Sequence, residues 1–170
     1  MQVDFRKANP EEADEIWKIL QQSIERRKLD GSQQWQDGYP NLNSVKSDIE
    51  RDAGFVLTEK NKIASYAAVI LNDEPAYENI EGQWFSDGDF FVVHRVAVSD
   101  EFAGKGYATE IMKNIESFAL ANGINSIKVD TNFDNPAMLR IFEKLGYIYC
   151  GEVFFRGSAR MAFEKILSER

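Results

Sequence analysis

Val96-Ala97-Val98-Ser99-Asp100-Glu101-Phe102-Ala103-Gly104-Lys105-Gly106-Tyr107-Ala108 is a β-type run that ends in a glycine-spaced loop and passes at once into a helical stretch. The first turn of a helix leaves backbone N–H groups without acceptors, and they lie at the positive end of the helix dipole. A junction of this kind is a binding place for a phosphate or pyrophosphate. Gly104 and Gly106 let the main chain approach a ligand with no Cβ in the way. The first expectation is therefore a nucleotide-like ligand gripped by main-chain donors of residues 104–108.

Working outward, Phe90 to Val98 is a strongly apolar strand that feeds this loop. A helix follows from about Gly106 to Ala121, with Ala108, Ile111, Met112, Ile115, Phe118 and Ala119 on one stripe, and Gly123 stops it. Ser126 to Thr131 reads as a strand, Asn135-Pro136 opens a helix that ends at Leu145-Gly146, and residues 147–155 and 159–166 read as two last strands. On the N-terminal side, Val3 and Phe5 alternate with polar neighbours as a first strand. Asn9-Pro10-Glu11-Glu12 is a capping-box-like start for a helix running to about Lys28. Residues 29–42 form a long irregular loop holding Trp35 and Tyr39, a shorter helix covers 43–51, and 55–58 and 63–71 are strands joined by a tight turn near Asn61. Residues 73–88 are irregular again and hold Pro75, Tyr77 and Trp84. The order β-α-α-β-β-β-α-β-α-β-β predicts an α/β (α+β) single domain over 1–170, with a mixed sheet of about seven strands and four helices.

Composition narrows the function. The net charge is −8, with 20 Lys and Arg against 28 Asp and Glu, which argues against a nucleic-acid partner. An acidic surface also raises the local concentration of cationic small molecules, although solubility alone accounts for it. The one cysteine, Cys150, permits no intramolecular disulfide. No apolar run approaches the roughly 18 residues of a membrane span, and the N-terminus has no signal-peptide pattern, so the expectation is a cytoplasmic protein with no membrane partner.

Ala103-Gly104-Lys105-Gly106-Tyr107-Ala108, after the apolar Val96-Ala97-Val98 run, resembles the acyl-coenzyme-A-binding motif of the GNAT superfamily of N-acetyltransferases, Gln/Arg-x-x-Gly-x-Gly/Ala. Ala103 stands where the motif has Gln or Arg. A second block, Asn135 to Tyr147, resembles the family's Asn-x-Ala-x-x-x-Tyr-x-x-x-Gly-Phe, with Phe142 at the position where many members carry the tyrosine that protonates the departing thiolate. The resemblance covers about residues 50–166. It implies splayed central parallel strands, acetyl-CoA as co-substrate, an amine acceptor that is a small molecule or a peptide, and room for a homodimer. From the residues themselves, no Cys/His cluster has metal spacing and no carboxylate array suggests calcium, so no metal is expected.

The implied reaction is direct acetyl transfer with both substrates bound. In the family the pantetheine arm hydrogen-bonds the backbone near Val96 and Val98, and a free N–H around Val96, Ala97 and Val98 would steady the charge on the thioester oxygen. An attacking ammonium must first lose a proton. His94 precedes the Val96 run by two residues, so 94, 96 and 98 are expected to face one way. The arylalkylamine branch of the family carries a histidine at this spacing and uses it in proton removal. A satisfied core histidine is the other reading. Asp130 ends its strand close to the expected splay, where it would bind the amine or act through water as a base, or else serve as a turn residue. Arg95 is expected to point away from His94 and to pair with an acid. Asn135 would touch the pantetheine or simply cap its helix, and Phe142 would pack beside the coenzyme arm. Lacking a hydroxyl, Phe142 leaves Tyr147, Tyr149 or water to act as acid. Trp35, Tyr39 and Tyr77 are the candidate acceptor-binding aromatics. Cys150 reads as a buried structural thiol.

Two rivals share these residues. A Rossmann-type oxidoreductase lacks its third glycine, since Thr109 stands there, and too few strands follow. A non-catalytic acyl-CoA sensor of the same fold is made thinkable by Ala103 and Phe142.

Overall fold

The computed structural model describes residues 2–168. Its strands are β1 (Asp4–Lys7), β2 (Gly54–Glu59), β3 (Lys62–Leu71), β4 (Glu81–Gly82), β5 (Phe91–Val98), β6 (Ser126–Thr131), β7 (Ile148–Phe155) and β8 (Ser158–Ile166). Its helices are α1 (Ala13–Leu29), α2 (Leu42–Glu50), α3 (Tyr107–Ala121) and α4 (Pro136–Leu145). The strands hydrogen-bond in the order β1-β2-β3-β5-β6-β8-β7-β4. This is the mixed α/β sheet with four helices that the element order predicts. It has eight strands where about seven were expected. The addition is the two-residue β4, inside the stretch read as irregular.

The chain falls into two compact units. One holds the chain up to Val69 together with Arg95–Asn114. Here β1 pairs antiparallel with β2, and Phe5 stacks on Phe55 at 5.2 Å. The helix start at Asn9 opens with a single 3-10 turn, Pro10–Glu12, before α1 proper. The Glu12 carboxylate accepts the Asn9 N–H at 2.8 Å and pairs with Arg6 at 2.8 Å. Ile16, Ile19 and Leu20 of α1 pack with Val45, Val56, Ile63 and Tyr66 as the core, and helical spacing is what puts the α1 residues on one face.

The other unit holds Ile70–His94 and the chain from Ile115 on. The β7–β8 hairpin pairs antiparallel with β6, and Tyr77, Val92, Val153 and Ala162 form a buried cluster against Trp84, Phe90 and Phe155. Asn72 closes the base of the 73–89 excursion. Its N–H donates to the Phe90 carbonyl at 2.9 Å and its side chain accepts the Phe90 N–H at 2.9 Å. The excursion is thus tied down at its neck and carries Glu74, Tyr77 and Trp84 on a fixed base. No helix among the described residues is long and apolar enough to cross a membrane.

Candidate active site

In the first unit a single 3-10 turn, Asp100–Phe102, leads into the glycine loop. Residues 103–106 are exposed, and Gly104 and Gly106 take φ of +77° and +84°. A Cβ built on either glycine meets nothing within 4 Å, so the left-handed backbone, not crowding inside the chain, selects glycine. The Glu110 N–H closes the first turn of α3 on the Gly106 carbonyl at 3.0 Å, which leaves the amides just before it without a helical acceptor. The exit of the loop is clamped. The Tyr107 ring is buried edge-on to Phe102 at 5.0 Å, and its carbonyl accepts the Ser65 hydroxyl at 3.2 Å.

Arg95 has φ +57° in the middle of β5. This left-handed residue breaks the two-residue alternation, so the expectation that 94, 96 and 98 share one face fails at that point. A non-glycine residue held there costs on the order of 1 kcal/mol, and persists because its surroundings fix it. The fixing group is Asp48 of α2, only 1% exposed, which accepts Arg95 Nε at 2.9 Å and Nη2 at 2.5 Å. The Tyr66 phenol donates to the same carboxylate at 2.6 Å, and Arg95 also contacts the Tyr39 hydroxyl. Burial by itself would lower the Arg95 guanidinium, and Asp48 overrides it, so the net shift is upward. Asp48 is the unnamed acid of the sequence reading. Arg26 of α1 donates to the Val98 carbonyl and pairs with Asp100, while Arg27 lies 4.2 Å over the Trp35 ring. Trp35 and Tyr39 are therefore each engaged by an arginine.

The second unit brings together His94, Asp130 and Tyr77 from the sequence reading, and adds Glu74. β5 pairs parallel with β6 through Phe91–Ile127 and Val92–Lys128, after which β6 continues to Thr131. Where this pairing ends, His94 Nε2 lies 2.8 Å from Glu74 Oε2 and Nδ1 lies 3.9 Å from Asp130 Oδ2. The Tyr77 phenol donates to that Asp130 oxygen at 2.5 Å. The Phe155 ring meets the imidazole at 6.1 Å, nearly perpendicular. Burial raises the Asp130 carboxyl above its ordinary range, while His94, the Tyr77 hydrogen bond and Arg160 pull it back. Burial, then Asp130, lifts the Tyr77 phenol well above its ordinary value, so it stays a donor. Chemically this is an imidazole with a carboxylate at each ring nitrogen: a place where a proton can be taken and passed on. Sequence reasoning missed Glu74, because 20 positions separate it from His94 and only the Asn72–Phe90 neck brings it back.

Asn135 is buried and its side chain accepts the Met138 N–H at 3.3 Å, so it caps α4. Phe142 is 2% exposed, and its ring packs at a tilt against Tyr147 at 5.6 Å and Phe163 at 5.2 Å. Of the substitutes for an acid, Tyr147 is buried with its hydroxyl on Glu116 at 3.2 Å, and burial lifts its phenol well above the usual value. Tyr149 is 49% exposed. Cys150 is buried, its thiol pushed up to about 11 by burial. Among the described residues no His, Cys, Asp or Glu group is arranged to hold a metal ion.

The profile of the acetyltransferase (GNAT) family matches residues 14–147. The chain is 27% identical over 145 residues to a Bacillus subtilis protein described as an uncharacterized N-acetyltransferase, YesJ, across 83% of this chain and 79% of that one. A crystal structure of a GNAT-family acetyltransferase from Streptococcus agalactiae is similar with a TM-score of 0.90 at 34% identity, over 98% of this chain and 96% of that one. The fold is also that of yncA from Salmonella typhimurium, a putative acetyltransferase solved with its cofactor acetyl-CoA, with a TM-score of 0.70 at 14% identity over 100% of this chain and 96% of that one. With its family profile spanning most of the sequence and a 34% identical GNAT-family structure covering nearly all of it, the chain belongs to the GNAT acetyltransferase family.

Proposed function

We propose that the chain, acting as one domain in the cytoplasm, transfers an acetyl group from acetyl-CoA to a primary amine of a small molecule or peptide. The observation that carries this reading is the exposed loop of residues 103–106, with both glycines left-handed and bare helix-start amides behind it. Main-chain donors of residues 104–108 suit a diphosphate, and need no side chain at Ala103 to do so. Acetyl-CoA supplies a thioester carbonyl.

The acceptor amine arrives as an ammonium. His94 takes one of its protons, and Glu74, 2.8 Å from Nε2, steadies the imidazolium so formed. The freed nitrogen lone pair attacks the carbonyl carbon. A C–N bond forms, the C–S bond breaks, and the second proton of the attacking nitrogen passes through water to the departing thiolate, leaving a neutral amide. No side chain is needed for that last step, because a thiolate is a tolerable leaving group. This fits Phe142, which has no proton to give.

Free-thiol release on mixing acetyl-CoA with a panel of primary amines tests the reading. Turnover with at least one amine is expected. Saturable acetyl-CoA binding without thiol release across the panel would replace the transferase with a sensor. No acetyl-CoA binding by calorimetry would remove the loop as the carrier site.

A further inference from the structure

Arg160 is a half-buried cation whose guanidinium makes no ion pair among the described residues. It lies on β8, where the ladder to β6 sets Asp130 opposite Ala162 and Thr131 opposite Met161. Directly opposed residues share a face of the sheet, and a strand returns to that face every second residue. Asp130, Ala162 and Arg160 are thus on one face, and Asn132 follows the end of β6. The guanidinium lies 5.8 Å over the Phe155 ring, and the same ring meets the His94 imidazole at 6.1 Å. Arg160 Nε is buried and makes no hydrogen bond, and among the described residues the guanidinium enters no ion pair. Asn132 Oδ1 is likewise buried and has no donor. The Arg160 charge reaches Asp130, whose carboxyl it pulls back against the effect of burial.

Buried charges are ordinarily paired, because desolvating a lone one is costly. The arginine fork fits a carboxylate with two parallel hydrogen bonds. The same Phe155 ring also meets the Glu74–His94–Asp130 group, whose charge suits an ammonium. We propose that the acceptor is an amino acid, whose carboxylate is taken by Arg160 while its amine is presented to His94. This deepens the acetyltransferase reading and rests on it. Asn132 Oδ1 supplies an acceptor for a further N–H of the same ligand.

The test compares L-amino acids with the amines left by removing their carboxylate, and with their methyl esters, by thiol release from acetyl-CoA. With the wild-type protein, at least one amino acid is expected to exceed its decarboxylated amine and its ester by tenfold or more in kcat/KM. Arg160→Gln is expected to raise KM for that amino acid roughly ten- to hundredfold, the range for a charged hydrogen-bonded pair, and to shrink the preference over the amine by a similar factor. Arg160→Lys keeps the charge, loses the fork and falls between. Equal or better turnover of the decarboxylated amines by the wild type overturns the proposal. So does an Arg160→Gln defect that strikes amine and amino acid alike. Absence of thiol release from every amine strikes the transferase reading alone. Calorimetry with the same amino acids then decides the Arg160 assignment, and heat that does not depend on Arg160, or no heat, overturns it.

Discussion

The Tyr77 phenol donates its hydrogen to Oδ2 of Asp130 across 2.5 Å, and that same oxygen stands 3.9 Å from Nδ1 of His94. Burial prevails over these partners, so the folded carboxyl titrates above the value it has in the unfolded chain. The sign of the linkage follows. For a raised carboxyl, the stabilising contribution is fully present below the unfolded carboxyl range and is lost as pH rises through the folded one. Asp130→Asn keeps the shape and the acceptor for Tyr77 but cannot ionise. The variant is therefore expected to gain on the wild type as pH rises from 4 to 8, with the gap closing in acid. Urea denaturation at the two ends of that range measures it. A wild type that stays ahead at pH 8 would show that partners, not burial, govern this carboxyl.

His94→Ala and Glu74→Gln separate taking a proton from steadying it. A positioned general base is worth roughly 10²–10⁴-fold in rate. His94→Ala is expected to lose kcat on that scale and to recover part of it as pH rises, when more of the acceptor amine is already free of its proton. Glu74→Gln leaves the imidazole in place, loses the carboxylate at 2.8 Å from Nε2, and is expected to lose less. Stopped thiol-release assays across pH read both. An unchanged rate and pH profile in His94→Ala would remove the histidine from the mechanism.

How far the sequence reached depends on the range of each interaction. The strand–loop–helix junction at Val98 to Tyr107 and the Asn135–Gly146 helix were legible, because glycine, proline and cap chemistry act within a few residues. β4 was not. It exists only because Gly82 and Gly151 approach so closely that a Cβ built on Gly82 would lie 2.0 Å from the Cys150 carbonyl oxygen, and nothing near residue 82 announces a partner so far along the chain. The same reason hid Glu74 and Arg160, which reach His94 and Asp130 through a loop neck and a ladder register. Period-two reasoning along β5 misled at Arg95, where a buried carboxylate from another element holds the backbone left-handed.

Gly106→Ala tests the loop as a main-chain cradle. Alanine at φ +84° is strained by about 1 kcal/mol, and its Cβ enters the open space in front of the amides. The expected result is a melting point a few degrees lower, with acetyl-CoA binding weakened more than the stability loss accounts for, by tenfold or so. Calorimetry on the folded variant gives the second number. Lys105→Ala is the contrast, because its side chain is exposed and the donors are main chain, so binding should fall only a few-fold. Should Lys105→Ala be the more damaging of the two, charge and not the backbone cradle would hold the diphosphate.

Asp48 is the group whose loss ought to reach furthest. Removing its carboxylate leaves the Arg95 guanidinium, 9% exposed in its side chain, and the buried Tyr66 phenol without their shared acceptor. Breaking one side of a buried pair costs about 3–5 kcal/mol. Asp48→Ala is expected to fall in that range by chemical denaturation. The double variant Asp48→Leu with Arg95→Met removes both charges and should recover most of the stability. It should not recover activity, because the grip of Asp48 on the left-handed backbone of residue 95, next in the chain to His94, is gone. Full stability with low kcat in the double variant is the signature of a backbone held in place for chemistry. Full stability with wild-type kcat would show the left-handed turn at Arg95 to be a by-product of packing.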